Sequence, residues 1–325
     1  IFDPLQMKRS NFSVFDSQKD TDFALPYDKR DGKVKVIPFR PITNLAPAGA
    51  INSSVNEMAR WVIVHLNGGK YGEVKLAEPN TVADMHLSHM VTGAESPEPE
   101  ISGGAYGMGW FVDNYRGHKR VEHGGNIDGF SANVVLFPRD DFGIVVLTNL
   151  NGTALRDLIA QVIADRMLGL QPINWLEKGA AQRMIAEAAG KAGEKKKADT
   201  KVMGTQPSHK LGDYAGDYFH PGYGGLKVAL SGDHLELTYN GIKSPLEHWH
   251  YDTFAGGKAE EKAFEDMRFT FQTDSNGFVS AVLSPFEPSV SEIVFQKKPD
   301  SRLSDAAYLE RFVGKYDLLG QTITV

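Results

Sequence analysis

The residues of this chain that are best suited to chemistry lie in one short stretch, His123-Gly124-Gly125-Asn126. Two adjacent glycines at the start of an apolar strand cost conformational entropy and supply no side chain for packing, so we expect another molecule to approach the backbone there. An exposed strand edge can pair with an extended substrate and can direct an N–H at a developing oxyanion. A histidine beside it adds a proton donor that titrates near neutral pH. The alternative interpretation is a tight turn with a surface histidine, because the triplet alone is a short motif.

Composition excludes several kinds of site. The 325 residues carry a net charge of -6, which gives no attraction for a phosphate backbone or an anionic membrane surface, so neither nucleic acid nor membrane is an expected partner. The absence of cysteine excludes disulfides, thiolate metal sites and a cysteine nucleophile. No apolar run is long enough to cross a bilayer, and no signal-peptide pattern opens the chain. The opening "IFDPLQMKRSNFSVF" starts within an apolar segment, and we expect the natural N-terminus to lie upstream.

The elements around the motif predict an α+β layer. "NSSVNEMARWVIVHLNGG", from Asn52, has the spacing of a helix with a Ser54–Glu57 capping box, and a second helix is expected within 79–91, followed by the loop "TGAESPEPEISGG". Four strand signals follow: "YGMGWFVD", "KRVEH", "FSANVVLFP" and "FGIVVLTN", the last two joined by a turn at 139–141. "TALRDLIAQVIADRML" then predicts a helix capped by Thr153. An antiparallel sheet with covering helices is the expected architecture of residues 1–170.

The second half of the chain predicts an all-β domain. Residues 171–205 have the composition of a partly helical linker, and 206–325 contain short alternating segments broken by Gly, Asp, Asn and Pro, which is typical of an antiparallel barrel. A faint repeat is present, in which Leu211, Tyr214, Gly216, Tyr218 and Val228 recur as Leu309, Phe312, Gly314, Tyr316 and Val325. We therefore expect the barrel domain to be followed by the beginning of a second copy, truncated at the C-terminus.

Other histidines and aromatics have alternative interpretations. His86 and His89 are three apart on the second predicted helix, but no third ligand completes a metal site, and polar packing is favoured. His248 and His250 share one strand face beside Trp249, where barrel packing is favoured over a metal or sugar site. We therefore expect no metal and no cofactor. Further expectations are that Asp128 orients His123 or stabilises a turn, that Trp110 packs beneath the motif, and that the tyrosines of the barrel form its core or line a pocket.

An ordered series of motifs resembles a known family. "YGMGW", "HGGNIDGF", "FPRDDFGIVVLTN" and "ALRDLIAQVIADRMLG" resemble, in that order, the C-terminal portion of the serine β-lactamase and penicillin-binding-protein family. They are most similar to its β-lactamase-related esterase and D-aminopeptidase branch, as are "IFDPLQM" and "LAPAGAINSSVNEMARWVIVHLNGG" upstream. The resemblance covers residues 1 to about 170 and implies a partial transpeptidase-like fold. Residues from about 206 onward resemble the lipocalin-like domain appended to these hydrolases.

The resemblance implies roles for the motif in a serine acyl-enzyme mechanism. His123 stands where the family has the lysine of Lys-Thr-Gly, Gly124 and Gly125 complete a substrate-binding triplet, and the backbone N–H of Asn126 becomes an oxyanion donor. Loss of one such donor typically costs about 2.7 to 4 kcal/mol of transition-state stabilisation. The importance of Asn126 is then expected to lie in its main chain. Histidine in place of lysine makes carboxylate recognition sensitive to pH and favours esters, amides or D-amino-acid peptides as substrates.

The family's nucleophile motif is missing. No serine of this chain has a lysine three residues later, and no tyrosine is followed two residues later by Asn or Ser. In the family both motifs precede the segment that the start of this chain resembles, so we expect them in a missing N-terminal part, without which the chain is inactive. The alternative is a catalytically silent binding or scaffold protein that retains the strand and the barrel. Expected partners are a small-molecule or short peptide substrate and a second copy of the chain or its own N-terminal portion. The lack of cysteine and the resemblance favour a periplasmic or extracellular location.

Overall fold

The chain folds into two compact units, Ile1–Ala188 and Ala189–Val325. The computed structural model describes residues 1–30, 32–93, 96, 98–259, 262–287 and 289–325. Three residues of the predicted loop at 92–104, namely 94, 95 and 97, lie outside the described residues. Across the described ranges, every helix is too short or too polar to cross a membrane.

The first unit combines helices with an antiparallel sheet. Its helices are α1 (Val14–Ser17), α2 (Ala46–Gly49), α3 (Val55–Leu66), α4 (Pro79–Met85), α5 (Leu155–Met167) and the first part of α6 (Trp175–Asp199), with a 3₁₀ turn at Thr43–Leu45. Its strands are β1 (Tyr27–Arg30), β2 (Lys33–Val36), β3 (Lys70–Tyr71), β4 (Val74–Lys75), β5 (Met90–Val91), β6 (Ile101–Tyr106), β7 (Phe111–Tyr115), β8 (His118–Ile127), β9 (Phe130–Phe137) and β10 (Phe142–Thr148). Strands β5 to β10 form one six-stranded sheet in the order β10-β9-β8-β7-β6-β5.

Helices cover both faces of this sheet, because successive side chains of a strand point to opposite faces. One face packs against α3, and its buried residues are Val62, Trp110, Val112, Val121 and Leu136. The other packs against α5 and α6, and its buried residues are Tyr115, Val135, Phe137, Ile144, Val146, Ala160, Ala164 and Trp175. The sheet is therefore the scaffold that fixes the backbone of β8, which carries the His-Gly-Gly motif.

The structure confirms the turn between the last two strands and corrects three local predictions. Phe137 pairs with Phe142 across the predicted hairpin. The second helix lies within the predicted range 79–91, but it ends at Met85, so His89 lies beyond it, and Met90–Val91 joins the sheet edge as β5. "YGMGW" is not one strand, since β6 ends at Tyr106 and β7 begins at Phe111, with a turn that includes Gly109 at φ +79°.

The Ser54–Glu57 capping box is also wrong. Ser54 precedes α3, but its side chain makes no cap hydrogen bond. The Glu57 carboxylate instead accepts hydrogen bonds from Arg9 N (3.0 Å) and Ser10 Oγ (2.7 Å). A tertiary contact with the N-terminal segment thus takes the place of the local cap.

The second unit is a closed eight-stranded antiparallel barrel with each strand beside its neighbours in sequence. The strands are β11 (Gly216–His220), β12 (Gly224–Ser231), β13 (His234–Tyr239), β14 (Ile242–His250), β15 (Thr253–Gly256), β16 (Arg268–Thr273), β17 (Val279–Ser284) and β18 (Ile293–Lys297). Two short helices, α7 (Leu211–Tyr214) and α8 (Ala306–Leu309), and 3₁₀ turns at Lys262–Phe264, Ser301–Ser304 and Glu310–Phe312 accompany them. Aromatic and branched aliphatic side chains fill the interior, including Tyr214, Tyr218, Phe254, Phe269, Phe271 and Phe295.

The faint sequence repeat has a structural counterpart. A separate hairpin, β19 (Lys315–Leu318) and β20 (Gln321–Thr324), follows the barrel. Tyr218 Oη donates to Tyr214 O at 2.7 Å, and Tyr316 Oη donates to Phe312 O at the same distance and the same sequence separation. The first tyrosine is 1% exposed and the second 46%. The repeated sequence thus reproduces the local hydrogen bond without the burial.

Candidate functional site

Along the His-Gly-Gly motif, strand β8 is paired with a neighbouring described strand on only one of its two sides. The register of β7 with β8 ends at Phe111↔Glu122, whereas the register of β8 with β9 continues to Phe130↔Ile127. Among the described residues, the segment 123–127 is therefore paired with β9 and has a free main-chain edge on the β7 side. Such an edge presents N–H and C=O groups to an extended molecule.

Gly124 makes room for an arginine from the first turn of α5. A Cβ added at Gly124 would lie 3.1 to 3.2 Å from the guanidinium atoms of Arg156. Arg156 Nη1 donates to Gly125 O and to Ala132 O (2.8 Å), so one cation holds carbonyls of two neighbouring strands. The first glycine of the pair is thus explained by packing against this guanidinium, a contact between residues more than 30 positions apart.

Gly125 and Asn126 differ from Gly124 in their surroundings. No described residue lies within 4 Å of a Cβ added at Gly125, so the space above Gly125 is open toward the described part of the chain. The Asn126 amide makes three hydrogen bonds: Nδ2 donates to Asn151 Oδ1 (2.9 Å), and Oδ1 accepts from Ser131 Oγ (2.6 Å) and Gly152 N (2.7 Å). The side chain of Asn126 therefore fixes the end of β8. This role was not predicted from the sequence, from which only the main-chain N–H of Asn126 was expected to be important.

Two aromatic residues from adjacent strands position the His123 ring. His123 Nδ1 lies 2.7 Å from Gly124 O, a contact that requires Nδ1 to carry a proton. His123 Nε2 lies 3.0 Å from Tyr106 Oη, and with the ring proton on Nδ1 it accepts a hydrogen bond from the tyrosine hydroxyl. The Phe111 ring lies 5.5 Å from the histidine ring, centroid to centroid. The imidazole is thus held at the head of the free edge.

The other candidate residues lie apart from this motif. Asp128 does not orient His123; its Oδ2 accepts from Arg40 Nη1 at 3.0 Å. His86 is buried and its Nε2 lies 3.0 Å from His65 Nδ1, whereas His89 contacts the backbone oxygen of Asp84 (2.9 Å). In the part of the chain that the structure describes, no group of three or more His, Cys, Asp or Glu residues could hold a metal ion. His248 and His250 lie on β14 in the second unit, and Trp110 packs in the core on the α3 face.

An apolar recess adjoins the C-terminal end of the free edge. Ile127 and Phe130 line it together with residues of the segment 12–52, chiefly Phe12, Phe15, Phe39 and Ile42. The rings of Phe39 and Phe130 lie 6.1 Å apart, centroid to centroid. Phe12 and Phe15 are about 60% exposed, so the recess is open to an apolar group from outside. No periodic signal in the sequence connects these residues, because they meet only through the tertiary fold.

The chain belongs to the Beta-lactamase family. The sequence model of that family matches residues 1–167, and a second model, described as a domain of unknown function (DUF3471), matches residues 200–297. Membership of the family therefore rests on the unit that carries the free edge.

Similar proteins include fungal and bacterial relatives. "Unguisins hydrolase ungD" of Aspergillus violaceofuscus is 27% identical over 256 residues, which cover 71% of this chain and 44% of the relative. "Protein flp" of Staphylococcus aureus is 30% identical over 159 residues, 48% of this chain and 28% of that protein. A solved structure, the octameric penicillin-binding protein homologue from Pyrococcus abyssi, aligns with a TM-score of 0.48 at 22% identity, over 90% of this chain and 58% of that one. The chain thus spans less than half the length of these two curated relatives.

Proposed function

We propose that this chain forms the substrate-binding part of a serine hydrolase that acts through an acyl-enzyme, with a nucleophile that is not among these 325 residues. The observation that carries the proposal is the free edge of β8 at 123–127, headed by His123. Family membership supports it, as does the absence of any Ser-x-x-Lys in the sequence. The substrates are esters, amides or peptides that contain D-amino acids, and the fungal relative, which is named a hydrolase, supports hydrolysis as the class of reaction.

The geometry suggests how such a substrate binds. An extended acyl group pairs with the edge of β8, and the backbone N–H of Asn126 stabilises the oxyanion that forms on the attacked carbonyl. At the other end of the segment both ring nitrogens of His123 are engaged, by Gly124 O and by Tyr106 Oη, so a polar group of the substrate takes the place of one of these partners. The open space above Gly125 leaves room for the substrate backbone.

The recess beyond Ile127 suggests a preference for bulky apolar substituents. Side chains of a peptide added to a strand edge alternate between the two faces at about 3.3 Å per residue. A substrate that reaches the end of the edge therefore places an apolar side chain among Phe12, Phe39 and Phe130. In the same proposal the barrel is a lipocalin-like accessory domain, and the protein works outside the cytoplasm, in the periplasm or the extracellular space.

Covalent labelling tests the location of the nucleophile. We expect no labelling of this chain by a fluorescent penicillin or a fluorophosphonate. A chain extended upstream in its own reading frame is expected to be labelled, and replacement of the Ser-x-x-Lys serine by alanine should abolish the label. Labelling of the 325-residue chain at one of its own serines, with hydrolysis of p-nitrophenyl acetate, would contradict the proposal. Absence of labelling in both forms would favour the silent binding protein instead.

The two glycines offer a matched pair for testing the edge itself. In the extended chain we expect Gly125→Ala to slow acylation at least tenfold while thermal unfolding is unchanged, because the added methyl group enters open space where the substrate lies. Gly190→Ala, in α6, is the control, since nothing lies within 4 Å of a Cβ there either. Equal acylation rates in the two variants would show that no substrate approaches the strand at Gly125.

A further inference from the structure

A cavity of about 410 Å³ lies between the sheet and α5, and its wall includes the motif residues Gly124, Gly125 and Asn126. Its lining includes Glu98, Glu122, Asn133, Arg156, Asp157 and Gln161. This volume falls within the range of small-molecule pockets, about 300 to 1,000 Å³. The walls are unusually polar for space between a sheet and its covering helix.

Two buried amides in the wall have oxygens without partners. Asn133 and Gln161 are each 5% exposed, and neither Asn133 Oδ1 nor Gln161 Oε1 has a hydrogen bond to the described residues. Asn133 Nδ2 donates to Asp157 Oδ1 (2.8 Å), and Gln161 Nε2 donates to Glu98 Oε2 (2.7 Å). Because a carboxylate fixes each amide nitrogen, the free atoms are the oxygens, which are acceptors. Buried acceptors without a donor are costly and call for a ligand or water.

The charges of the cavity leave an excess of carboxylates. Arg120 forms a two-pronged ion pair with Asp113 at 2.8 and 2.7 Å, and Arg156 is engaged by backbone carbonyls and by Asp157 Oδ2 (3.4 Å). Glu122 accepts no hydrogen bond from any described residue. Burial raises the pKa of Glu122 and of Glu98, although nearby cations act against the shift, Arg120 at Glu122 and Lys178 at Glu98. A buried carboxyl group of this kind is stabilised in its charged form by a bound cation.

We propose that this cavity binds the primary ammonium group of a small organic molecule. An ammonium group has three N–H donors and no acceptor, which matches the unpaired amide oxygens and the Glu122 carboxylate. A metal ion fits less well, because the described residues provide no cluster of three His, Cys, Asp or Glu ligands. In this proposal Glu122 and the two amides hold the ammonium group, so its binding needs neither the oxyanion position proposed for the free edge nor a nucleophile.

Titration calorimetry of the 325-residue chain with n-butylammonium chloride tests the site. We expect saturable binding with one site per chain, and no binding of tetramethylammonium, which has the same charge but no N–H donor. Glu122→Gln should weaken n-butylammonium binding at least tenfold. Glu236→Gln on the barrel, where the carboxylate pairs with Lys243 on the surface, is the matched control and should leave binding unchanged.

A second variant separates loss of binding from loss of fold. Gln161→Met removes the whole side-chain amide, both its unpaired oxygen and its donor to Glu98, at similar size, and is expected to weaken binding at least threefold, with far-ultraviolet circular dichroism retained. Absence of saturable n-butylammonium binding, equal binding of tetramethylammonium, or unchanged affinity in both cavity variants would overturn the proposal. In that case water molecules satisfy the two amide oxygens.

The source of the ammonium group can be distinguished with a second probe. Alanylalaninamide carries the same group at the amino terminus of a peptide. Tighter binding than that of n-butylammonium would assign the cavity to peptide amino termini, whereas weaker binding would assign it to free amines. Both results support an ammonium site if Glu122→Gln weakens them alike.

Discussion

The interiors of the two units differ in how many polar groups they contain, although the barrel also has one buried atom, Ser284 Oγ, without a hydrogen bond to the described residues. The barrel is filled by aromatic rings, and its buried tyrosine hydroxyls donate to neighbours inside the same unit, as Tyr218 does to Tyr214 O. The interior of the sheet unit contains buried charges, a histidine pair, unpaired amide oxygens and an open cavity. Polar groups buried at such a cost are more consistent with function than with stability alone. This difference supports the proposal that recognition occurs in the sheet unit, whereas the aromatic interior of the barrel mainly provides packing.

The largest effect is expected in the barrel core. Phe254 is 1% exposed, and its ring lies 5.2 Å from that of Tyr214 and 5.6 Å from that of Phe271. Phe254→Ala should destabilise the barrel by about 3 to 5 kcal/mol, because it leaves a cavity among rigid rings. Hydrogen exchange in denaturant, followed strand by strand, measures the loss separately in each unit. Phe278→Ala is the exposed control, and a loss below about 1 kcal/mol for Phe254→Ala would mean that the barrel interior is not closely packed.

In the sheet unit, the buried carboxylate of Asp165 is expected to contribute to stability as Phe254 does in the barrel. It accepts hydrogen bonds from Tyr115 Oη, Arg116 Nη1 and Trp175 Nε1, each at 2.7 Å. Burial opposes its ionisation, but these donors hold the pKa of Asp165 below its usual range. Asp165→Asn should cost about 3 kcal/mol in urea unfolding of the first unit, since one donor loses its acceptor and Arg116 loses its counter-ion. Asp141→Asn, in the exposed turn, should cost nothing measurable.

The histidine pair of the first unit predicts a loss of stability in mild acid. Burial, followed by the neighbouring His86, lowers the pKa of His65 to about 4; burial, followed by Lys119, lowers that of His86 to about 4. Since the unfolded pKa is near 6.5, protons bind to the unfolded chain first as the pH falls, and stability that is complete above 6.5 is lost toward 4. Between pH 7 and 5.5 the loss is about 2.5 kcal/mol for the pair. Urea midpoints across this range measure it, and a His65→Phe/His86→Leu variant should show a flatter profile.

Features of the fold that depend on neighbouring residues could be predicted from the sequence, whereas contacts between residues far apart in the chain could not. The β9–β10 hairpin and the alternating strands of the barrel follow from local signals, and both are present. The contacts that shape the candidate site are not local: Arg156 reaches Gly124 from the next helix, and Tyr106 reaches His123 from a strand two places along the sheet. Glu57 shows the same limit, because a partner 48 residues away replaced its predicted cap. The motif could be identified from its glycines, but the residues that position it, such as Arg156 and Tyr106, could not be predicted from the sequence.

The smallest expected effect separates the contribution of burial to the free energy of unfolding from that of the local hydrogen-bond geometry. Tyr218 and Tyr316 make the same hydrogen bond to a carbonyl four residues earlier, yet one is 1% and the other 46% exposed. Tyr218→Phe leaves Tyr214 O buried without a donor and should cost about 1 kcal/mol. Tyr316→Phe should change stability by less than about 0.5 kcal/mol, because water replaces the hydroxyl. Hydrogen exchange of β11 and of β19 in the two variants gives the comparison. Equal losses at both positions would mean that the second hairpin is as well covered in solution as the first, and that its exposed tyrosine is shielded by another surface.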